Sequence, residues 1–190
     1  MLSVDGVFVD PQPFEFVPAL ESHWREIREE CAALPEDSFD PWVQREMYGE
    51  GWSVYGLIAF GQPIHAALAR CPRTAAAIAA IPHLTTAGFS RLAPGAHIQS
   101  HVGWVTTVYR AHLGLIVPAD CALRVGDETR AWREGQTLIF DDTTEHEAWN
   151  RSPLTRTVLL FDFVRPGCEH AAPDEPPAAV RELIRQRTGP

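Results

Sequence analysis

The chain has 190 residues, of which 45% are hydrophobic, and this is enough for one domain with its own core. Sixteen Lys and Arg against 25 Asp and Glu give a formal net charge of −9. This charge argues against nucleic acid binding, which needs a basic surface, and against work at an anionic membrane surface.

The N-terminus and the cysteines predict the compartment. The segment MLSVDGVFVDPQPF lacks a basic region followed by an apolar one, and no long uncharged apolar run can span a bilayer. The four cysteines are scattered without C-x-x-C spacing, which predicts reduced thiols: Cys31, Cys71, Cys121 and Cys168. We therefore expect an unprocessed cytoplasmic protein without stable membrane insertion.

The first part of the chain is predicted to be partly helical. Apolar residues at three- and four-residue spacing predict one helix, which begins near Pro18 and ends before Pro35. The residues that form this face are Leu20, Trp24, Ile27, Cys31 and Leu34. Residues 35–50 are predicted to form a loop, and PRTAAAIAAI a second helix with Pro72 in its first turn.

The remainder is mainly β in character. Short segments rich in branched and aromatic residues alternate with turn signals: WSVYGLIAF, TTAGFSRLA, VYRAHLGLIV, CALRVG, TRAWRE, QTLIF, HEAWN and RTVLLFDFV. This pattern predicts a double-stranded β-helix, that is, a jelly-roll or cupin-like core, with N-terminal helices packed on one sheet. We expect a single domain over 1–190, with a helical and β part at about 1–80, the core at about 81–166 and a tail at 167–190 that contains the short helix AAVRELIRQR.

Histidines are candidates for a metal site. On a strand, alternate residues share a face, so His97, Gln99 and His101 are expected to point the same way. His146 lies much later, and the fold can bring such distant residues together. Two histidines and a carboxylate are typical of Fe(II) oxygenases, but Gly103 stands where the usual H-x-D or H-x-E form has the carboxylate. Spacing alone leaves open that these are ordinary surface or core histidines.

Arg156 begins the strand RTVLLFDFV and is expected to reach into the barrel. A buried arginine needs an anionic partner, and its planar guanidinium can hold a carboxylate through two hydrogen bonds. Either a dicarboxylate ligand or an ordinary salt bridge with Asp162 satisfies this need.

A longer resemblance covers the C-terminal half, from about Phe89 to Pro166. The segments FSRLAPGAHIQSHVG, YRAHLGLIVP, REGQTLIFDDTTEHEAWN and RTVLLFDFVRP are similar in order and spacing to the catalytic domain of the aspartyl/asparaginyl β-hydroxylase family. In that family a glycine replaces the metal carboxylate, as Gly103 does in HVG. The resemblance implies a compact bacterial-type dioxygenase that uses Fe(II), 2-oxoglutarate and O2 and releases succinate and CO2 while hydroxylating an unactivated C–H bond.

The resemblance also implies a role for individual residues. His101 and His146 fall on the iron ligands, and Arg156 on the arginine that binds the distal carboxylate of 2-oxoglutarate. Three further positions fall on residues that bind or face the cosubstrate: Ser90, which assists the arginine, His112 near the metal, and Arg110, which faces cosubstrate or substrate. A water or hydroxide is expected as a third ligand, in room left by Gly103. Because two neutral ligands leave the metal charge uncompensated, we expect 2-oxoglutarate to strengthen iron binding.

The substrate is expected to be a small molecule, an amino acid or a peptide, hydroxylated at the β-carbon of an Asp- or Asn-like residue. Val108 replaces the family arginine that recognises acidic substrates, which leaves open a lipid acyl chain. A non-catalytic jelly roll that binds a carboxylate is the third alternative. Candidate substrate contacts are Arg110, Trp52, Tyr55 and Trp104, and apart from Arg110 each of these also suits core or rim packing.

Four carboxylates surround His146 in the sequence: Asp141, Asp142, Glu145 and Glu147. We expect none of them to bind the metal. The two glutamates flank His146 on a strand and so face away from it, and the two aspartates are expected to organise the preceding turn.

Overall fold

The computed structural model describes residues 7–171 and 175–188. Twelve strands of this part form two antiparallel sheets. Their bounds are β1 Phe8–Val9, β2 Asp40–Pro41, β3 Trp52–Ala59, β4 Gln62–Pro63, β5 Leu84–Leu92, β6 His97–His101, β7 Val108–Ile116, β8 Cys121–Val125, β9 Glu128–Ala131, β10 Thr137–Phe140, β11 His146–Asn150 and β12 Arg156–Val164. The helices are α1 Phe16–Ser22, α2 Trp24–Ala33, α3 His65–Arg70, α4 Pro72–Ile78 and α5 Ala178–Thr188.

The large sheet has the order β1-β10-β7-β12-β5-β3-β2, with β4 paired to β3, and the small sheet has the order β6-β11-β8-β9. The central strand β12 is buried along most of its length, as expected of a strand covered on both faces. In β8 and β11 of the small sheet, buried residues alternate with half-buried ones, which is the pattern of a sheet with one face in the core.

Two hydrophobic clusters divide the molecule into layers. One lies between the sheets and joins Leu92, Phe140 and Val158 of the large sheet to Leu123 and Ala148 of the small sheet. The other lies on the opposite face of the large sheet and contains apolar residues of helices α1 to α4. The predicted jelly-roll core with helices on one sheet is therefore confirmed.

The helix predicted between Pro18 and Pro35 is wrong as a single helix. It is divided at His23, where φ is −94° and ψ is 6°, into α1 and α2. The Ser22 hydroxyl donates a hydrogen bond to the Ala19 carbonyl oxygen at 2.7 Å, and such bonds compete with the regular helical pattern. The loop prediction for 35–50 fits two single turns of 3-10 helix and the short β2, whereas α3, β1 and β4 were not predicted.

Helix α4 begins with Pro72, as predicted, and α5 coincides with the predicted C-terminal helix. All four cysteines are free thiols. Within the described residues, no helix is both long enough and apolar enough to cross a bilayer.

Candidate active site

The two candidate metal ligands face each other between neighbouring strands of the small sheet. His101 ends β6 and His146 begins β11, and their Cα atoms are direct partners in the antiparallel pairing. Their ring centroids are 4.2 Å apart. Two residues distant in sequence are thus held side by side by backbone pairing.

The β6–β11 pairing also explains why only one histidine of PGAHIQSH reaches the site. The register shifts by one residue between the His146 and Ala148 pairs, which is a β-bulge. His97 lies on the outer face, where its Nε2 is 2.7 Å from a carboxylate oxygen of Glu147. The prediction that His97 and His101 share a face is therefore wrong, because a bulge reverses the alternation of side chains.

Each histidine of the pair is oriented by a backbone carbonyl. The Nδ1–H of His101 donates to the Gln99 carbonyl oxygen at 2.7 Å, and the Nδ1–H of His146 donates to that of Thr144 at 2.8 Å. Because a carbonyl only accepts, each Nδ1 carries the proton and each Nε2 keeps its lone pair. Burial lowers the pKa of His101. Burial also lowers the pKa of His146, to about 3, and the neighbouring His101 ring contributes to this shift.

Asp142 occupies the space beside Gly103. A side chain at position 103 would collide with the Asp142 carboxylate, and the Gly103 N–H donates to the Asp142 carbonyl oxygen at 2.8 Å. One Asp142 carboxylate oxygen lies 3.4 Å from His146 Nε2. The expectation that Asp142 merely organises a turn is wrong, and the room left by Gly103 is filled by this carboxylate.

Arg110 holds Asp142 in place. Its guanidinium donates one hydrogen bond to Asp142 and two to Asp162, the latter at 2.8 and 2.9 Å. Burial alone would lower the pKa of Arg110, but the two carboxylates outweigh it and raise the pKa. Since Asp162 is committed to Arg110, the alternative of a salt bridge between Asp162 and Arg156 is wrong.

Arg156 is the opposite case. Its side chain is 1% exposed, and among the described residues no carboxylate pairs with it and its Nε–H lacks a hydrogen-bond partner. Its contacts are the Trp132 ring, 4.5 Å from the guanidinium carbon, and the Ser90 carbonyl oxygen at 3.4 Å. Burial lowers the pKa of Arg156 to about 10. A buried cation in this state is stabilised by an anion.

His112 presents a second donor without a partner. The Trp132 indole N–H donates to His112 Nδ1 at 3.2 Å, so His112 is the tautomer that carries its proton on Nε2. That buried Nε2 has no hydrogen-bond partner within the described part of the chain. Burial, with Arg156 nearby, lowers the pKa of His112 and keeps the ring neutral.

Two cavities meet at these residues. The inner cavity, about 30 Å³, is lined by the candidate ligands and cosubstrate residues: Ser90, His101, Arg110, His112, His146 and Arg156, with Trp52 and apolar neighbours. The outer cavity, about 630 Å³, shares Trp52, Ser90, His101 and Arg110 with it and extends over mainly apolar side chains. The larger volume is ordinary for a small-molecule site.

The residues present fit Fe(II) and 2-oxoglutarate. His101 and His146 each keep a free Nε2 lone pair and their ring centroids are 4.2 Å apart, which suits a metal ion, and the Asp142 carboxylate adds negative charge beside them. The Nε–H of Arg156 and the Nε2–H of His112 are unsatisfied donors at one cavity, which suits an anion. Among the described residues, no three His, Cys, Asp or Glu side chains form a metal-binding group, so a two-histidine centre stays a prediction.

Residues 21–166 match the family described as Aspartyl/Asparaginyl beta-hydroxylase. The chain belongs to this family. The predicted resemblance is therefore confirmed, and it extends further towards the N-terminus than the motifs alone indicated.

Two relatives illustrate the breadth of the aspartyl/asparaginyl β-hydroxylase family. An ornithine lipid ester-linked acyl 2-hydroxylase of Rhizobium tropici is 48% identical over 60% of this chain and 42% of its own length. The human aspartyl/asparaginyl beta-hydroxylase is 32% identical over 80% of this chain but only 21% of its own length. The match thus spans less than half of either relative. A Pseudomonas putida prolyl-4-hydroxylase structure is 18% identical, with a TM-score of 0.46 over 80% of this chain and 88% of its own.

The other predicted site residues lie around the same cavities. The Ser90 hydroxyl accepts a hydrogen bond from the Trp52 indole N–H at 3.0 Å, and Trp52 lines both the inner and the outer cavity. Tyr55 and Trp104 line the outer cavity, where Trp104 stacks on Phe60. Arg110 borders both cavities, but its charge is already paired.

Of the remaining carboxylates, Glu145 and Glu147 face away from the site, as predicted, and bind Arg124 on the outer face. Asp141 accepts hydrogen bonds from the backbone and hydroxyl of Thr143, so it organises the turn as expected.

Several residues around the two cavities were not predicted from the sequence, among them Trp132, Asp142 and Trp42. Trp132 fixes His112 and stacks on Arg156, Asp142 faces His146, and Trp42 lines the outer cavity. Asp142 precedes His146 by four residues, and this spacing across a turn was the available signal. Trp132 lies on the connection after β9 and shows no such signal.

Proposed function

We propose that this protein is an Fe(II)- and 2-oxoglutarate-dependent hydroxylase contained in a single domain. The observation that carries the proposal is the fully buried Arg156, which lacks a carboxylate partner in the described chain and shares a cavity with His101 and His146. A protein that kept this cation for stability alone would place a carboxylate beside it.

Each residue then has a definite task. His101 and His146 hold the metal through Nε2, in orientations set by the carbonyls of Gln99 and Thr144. Arg156, with the Ser90 hydroxyl, binds the distal carboxylate of 2-oxoglutarate, and His112 donates its Nε2–H to the cosubstrate. Bound Fe(II), 2-oxoglutarate and O2 supply the chemistry: one oxygen atom enters the substrate C–H bond and the other enters succinate as CO2 is released.

For the substrate, the outer cavity favours an acyl chain over an aspartyl residue. Its lining is mostly apolar, and Arg110, the cation at its inner end, is already paired with Asp142 and Asp162. Val108, where an acid-binding arginine would stand, is buried. The similarity to an acyl 2-hydroxylase agrees with this choice.

The alternatives predict different features. A peptidyl or free aspartate substrate requires an unpaired cation beside the candidate metal site on the substrate side. Arg110 is paired with Asp142 and Asp162, and Arg70, which also lines the outer cavity, does not line the inner one. A non-catalytic carboxylate-binding module explains Arg156 but leaves the two Nε2 lone pairs of the histidines without a purpose.

The test is succinate formation from 2-oxoglutarate with Fe(II) and air, in the presence of acylated lipids or of Asp-containing peptides. We expect turnover coupled to a mass gain of one oxygen atom on the acyl chain. Coupled hydroxylation of the peptides alone would contradict the acyl assignment. No succinate from protein that demonstrably binds iron would contradict the hydroxylase itself.

A further inference from the structure

The C-terminal helix α5 forms part of the outer cavity. Val180, Leu183 and Ile184 line the same cavity as His101 and Gly103, although they lie far away in sequence. Val180 is 2% exposed and the other two are half-buried. Their spacing places them on one face of the helix.

The opposite face of α5 is polar and faces solvent. Glu182 accepts hydrogen bonds from Arg185 and Gln186, and Arg181 pairs with Glu175 of the segment just before the helix. These side-chain bonds all remain within the C-terminal segment. The face of α5 that lines the cavity is thus apolar.

Part of the cavity lining is therefore supplied by an element outside the jelly roll. The rest of the lining belongs to sheet strands, to α3 and to loops such as those that contain Trp42 and Trp104. The sheet is held by continuous backbone pairing, so its side chains cannot withdraw to admit a longer ligand. The size of Leu183 and Ile184 then limits the space available on this side.

We infer that the apolar face of α5 sets the length of the acyl chain that the outer cavity accepts. This inference rests on the proposed acyl substrate and assigns to Val180, Leu183 and Ile184 a role in specificity. Binding of an acyl chain gains affinity with each buried methylene group until the chain end meets this face, after which further methylenes stay in water.

The experiment measures binding, so it does not depend on turnover. Trp42, Trp52 and Trp104 line the cavity, and a stearoyl monoglyceride brominated on its chain should quench their fluorescence. Unlabelled 1-monoacylglycerols, from octanoyl to stearoyl, then compete with it. For the wild-type protein we expect affinity to rise by about fourfold per methylene and then to stop rising at a defined length.

Three variants of the full chain locate that limit. Leu183→Trp should shorten the acyl chain at which affinity stops rising, and Leu183→Ala combined with Ile184→Ala should lengthen it. Gln186→Ala, on the exposed face of the same helix, is the matched control and should leave it unchanged. Circular dichroism checks folding, and if the double alanine variant unfolds the tryptophan variant still carries the test.

The outcomes separate this inference from the function on which it rests. A limit that is the same in all four proteins would overturn the role of α5 and leave the acyl substrate standing. Failure of every monoacylglycerol to displace the quencher, or absence of quenching in the wild-type protein, would contradict the acyl substrate itself.

Discussion

The inner and outer cavities share Trp52, Ser90, His101 and Arg110, yet they treat charge in opposite ways. In the inner cavity, a buried arginine and a neutral histidine present donors without partners among the described residues. In the outer cavity, Arg110 is paired with two aspartates, Arg70 lines the wall formed by α3, and the surrounding surface is mainly apolar. The inner cavity is thus incomplete without an anion, whereas the arginine that the two cavities share, Arg110, already has its anionic partners.

The contrast between Arg156 and Arg110 shows what burial of a charge indicates. Both lie on central strands of the large sheet, but among residues 7–171 and 175–188 only Arg110 has carboxylates within reach. A charge paired inside the protein supports the structure, and a charge left unpaired points to a ligand. The following variants break or sharpen this contrast.

The largest effect is expected at the histidine pair. His146→Ala removes one of two protein ligands, so succinate formation should fall by more than about 100-fold, beyond the loss typical of a supporting residue. His101→Ala should behave alike. His65→Ala, which changes an exposed histidine on α3, is the control and should leave turnover unchanged. Retained activity in His146→Ala would refute the metal assignment.

The two arginines should differ in their effect on stability. Arg110→Met leaves Asp142 and Asp162 buried without a cation, and we expect the free energy of unfolding to fall by about 3–5 kcal/mol. Arg156→Met removes an uncompensated cation and should be neutral or stabilising in the absence of ligand. Urea unfolding of both variants measures this, and an equal loss in the two would contradict the distinction between paired and unpaired charge.

Arg156→Lys tests how the anion is held. Lysine keeps the charge but loses the fork of donors, so the KM for 2-oxoglutarate should rise by about 10- to 100-fold, the loss of one or two charge-assisted hydrogen bonds. Arg151→Lys is the matched control, since the Arg151 guanidinium also stacks on a tryptophan ring but lies at the protein surface. An unchanged KM in Arg156→Lys would place the distal carboxylate elsewhere.

Trp132→Phe should have the smallest effect. It keeps an aromatic ring against Arg156 but removes the N–H that fixes the tautomer of His112. We expect about a tenfold loss in kcat/KM for 2-oxoglutarate, at the lower end for residues that orient a ligand. Trp149→Phe, on the outer face of β11, controls for the loss of an indole. Wild-type kinetics in Trp132→Phe would show that this hydrogen bond is dispensable.

Much of the fold was predictable because its signals are local. The strand segments carry branched and aromatic residues between turns, and Pro72 marks the start of α4. The division of the first helix at His23 was not predictable from apolar spacing, because the Ser22 hydrogen bond leaves the buried face intact.

The site was predictable to the extent that it depends on motifs. His101, His146, His112, Ser90 and Arg156 lie around one cavity, as the resemblance implies. The partners of charges were not predictable, since strand register decides them: Asp162 is paired with Arg110 because β12 and β7 place their Cα atoms opposite each other. The bulge that separates His97 from His101 is likewise a property of pairing, which alternation within one strand does not reveal.

The central claim is that the inner cavity is completed by an anion beside a two-histidine metal centre. Anaerobic titration of the protein with Fe(II), with and without saturating 2-oxoglutarate, tests it most directly. We predict that 2-oxoglutarate tightens iron binding by about 5- to 150-fold, since a coupling free energy between two bound ligands is typically worth about 1–3 kcal/mol, and that Arg156→Met abolishes the increase. Identical iron affinity with and without 2-oxoglutarate in the wild-type protein would contradict the account.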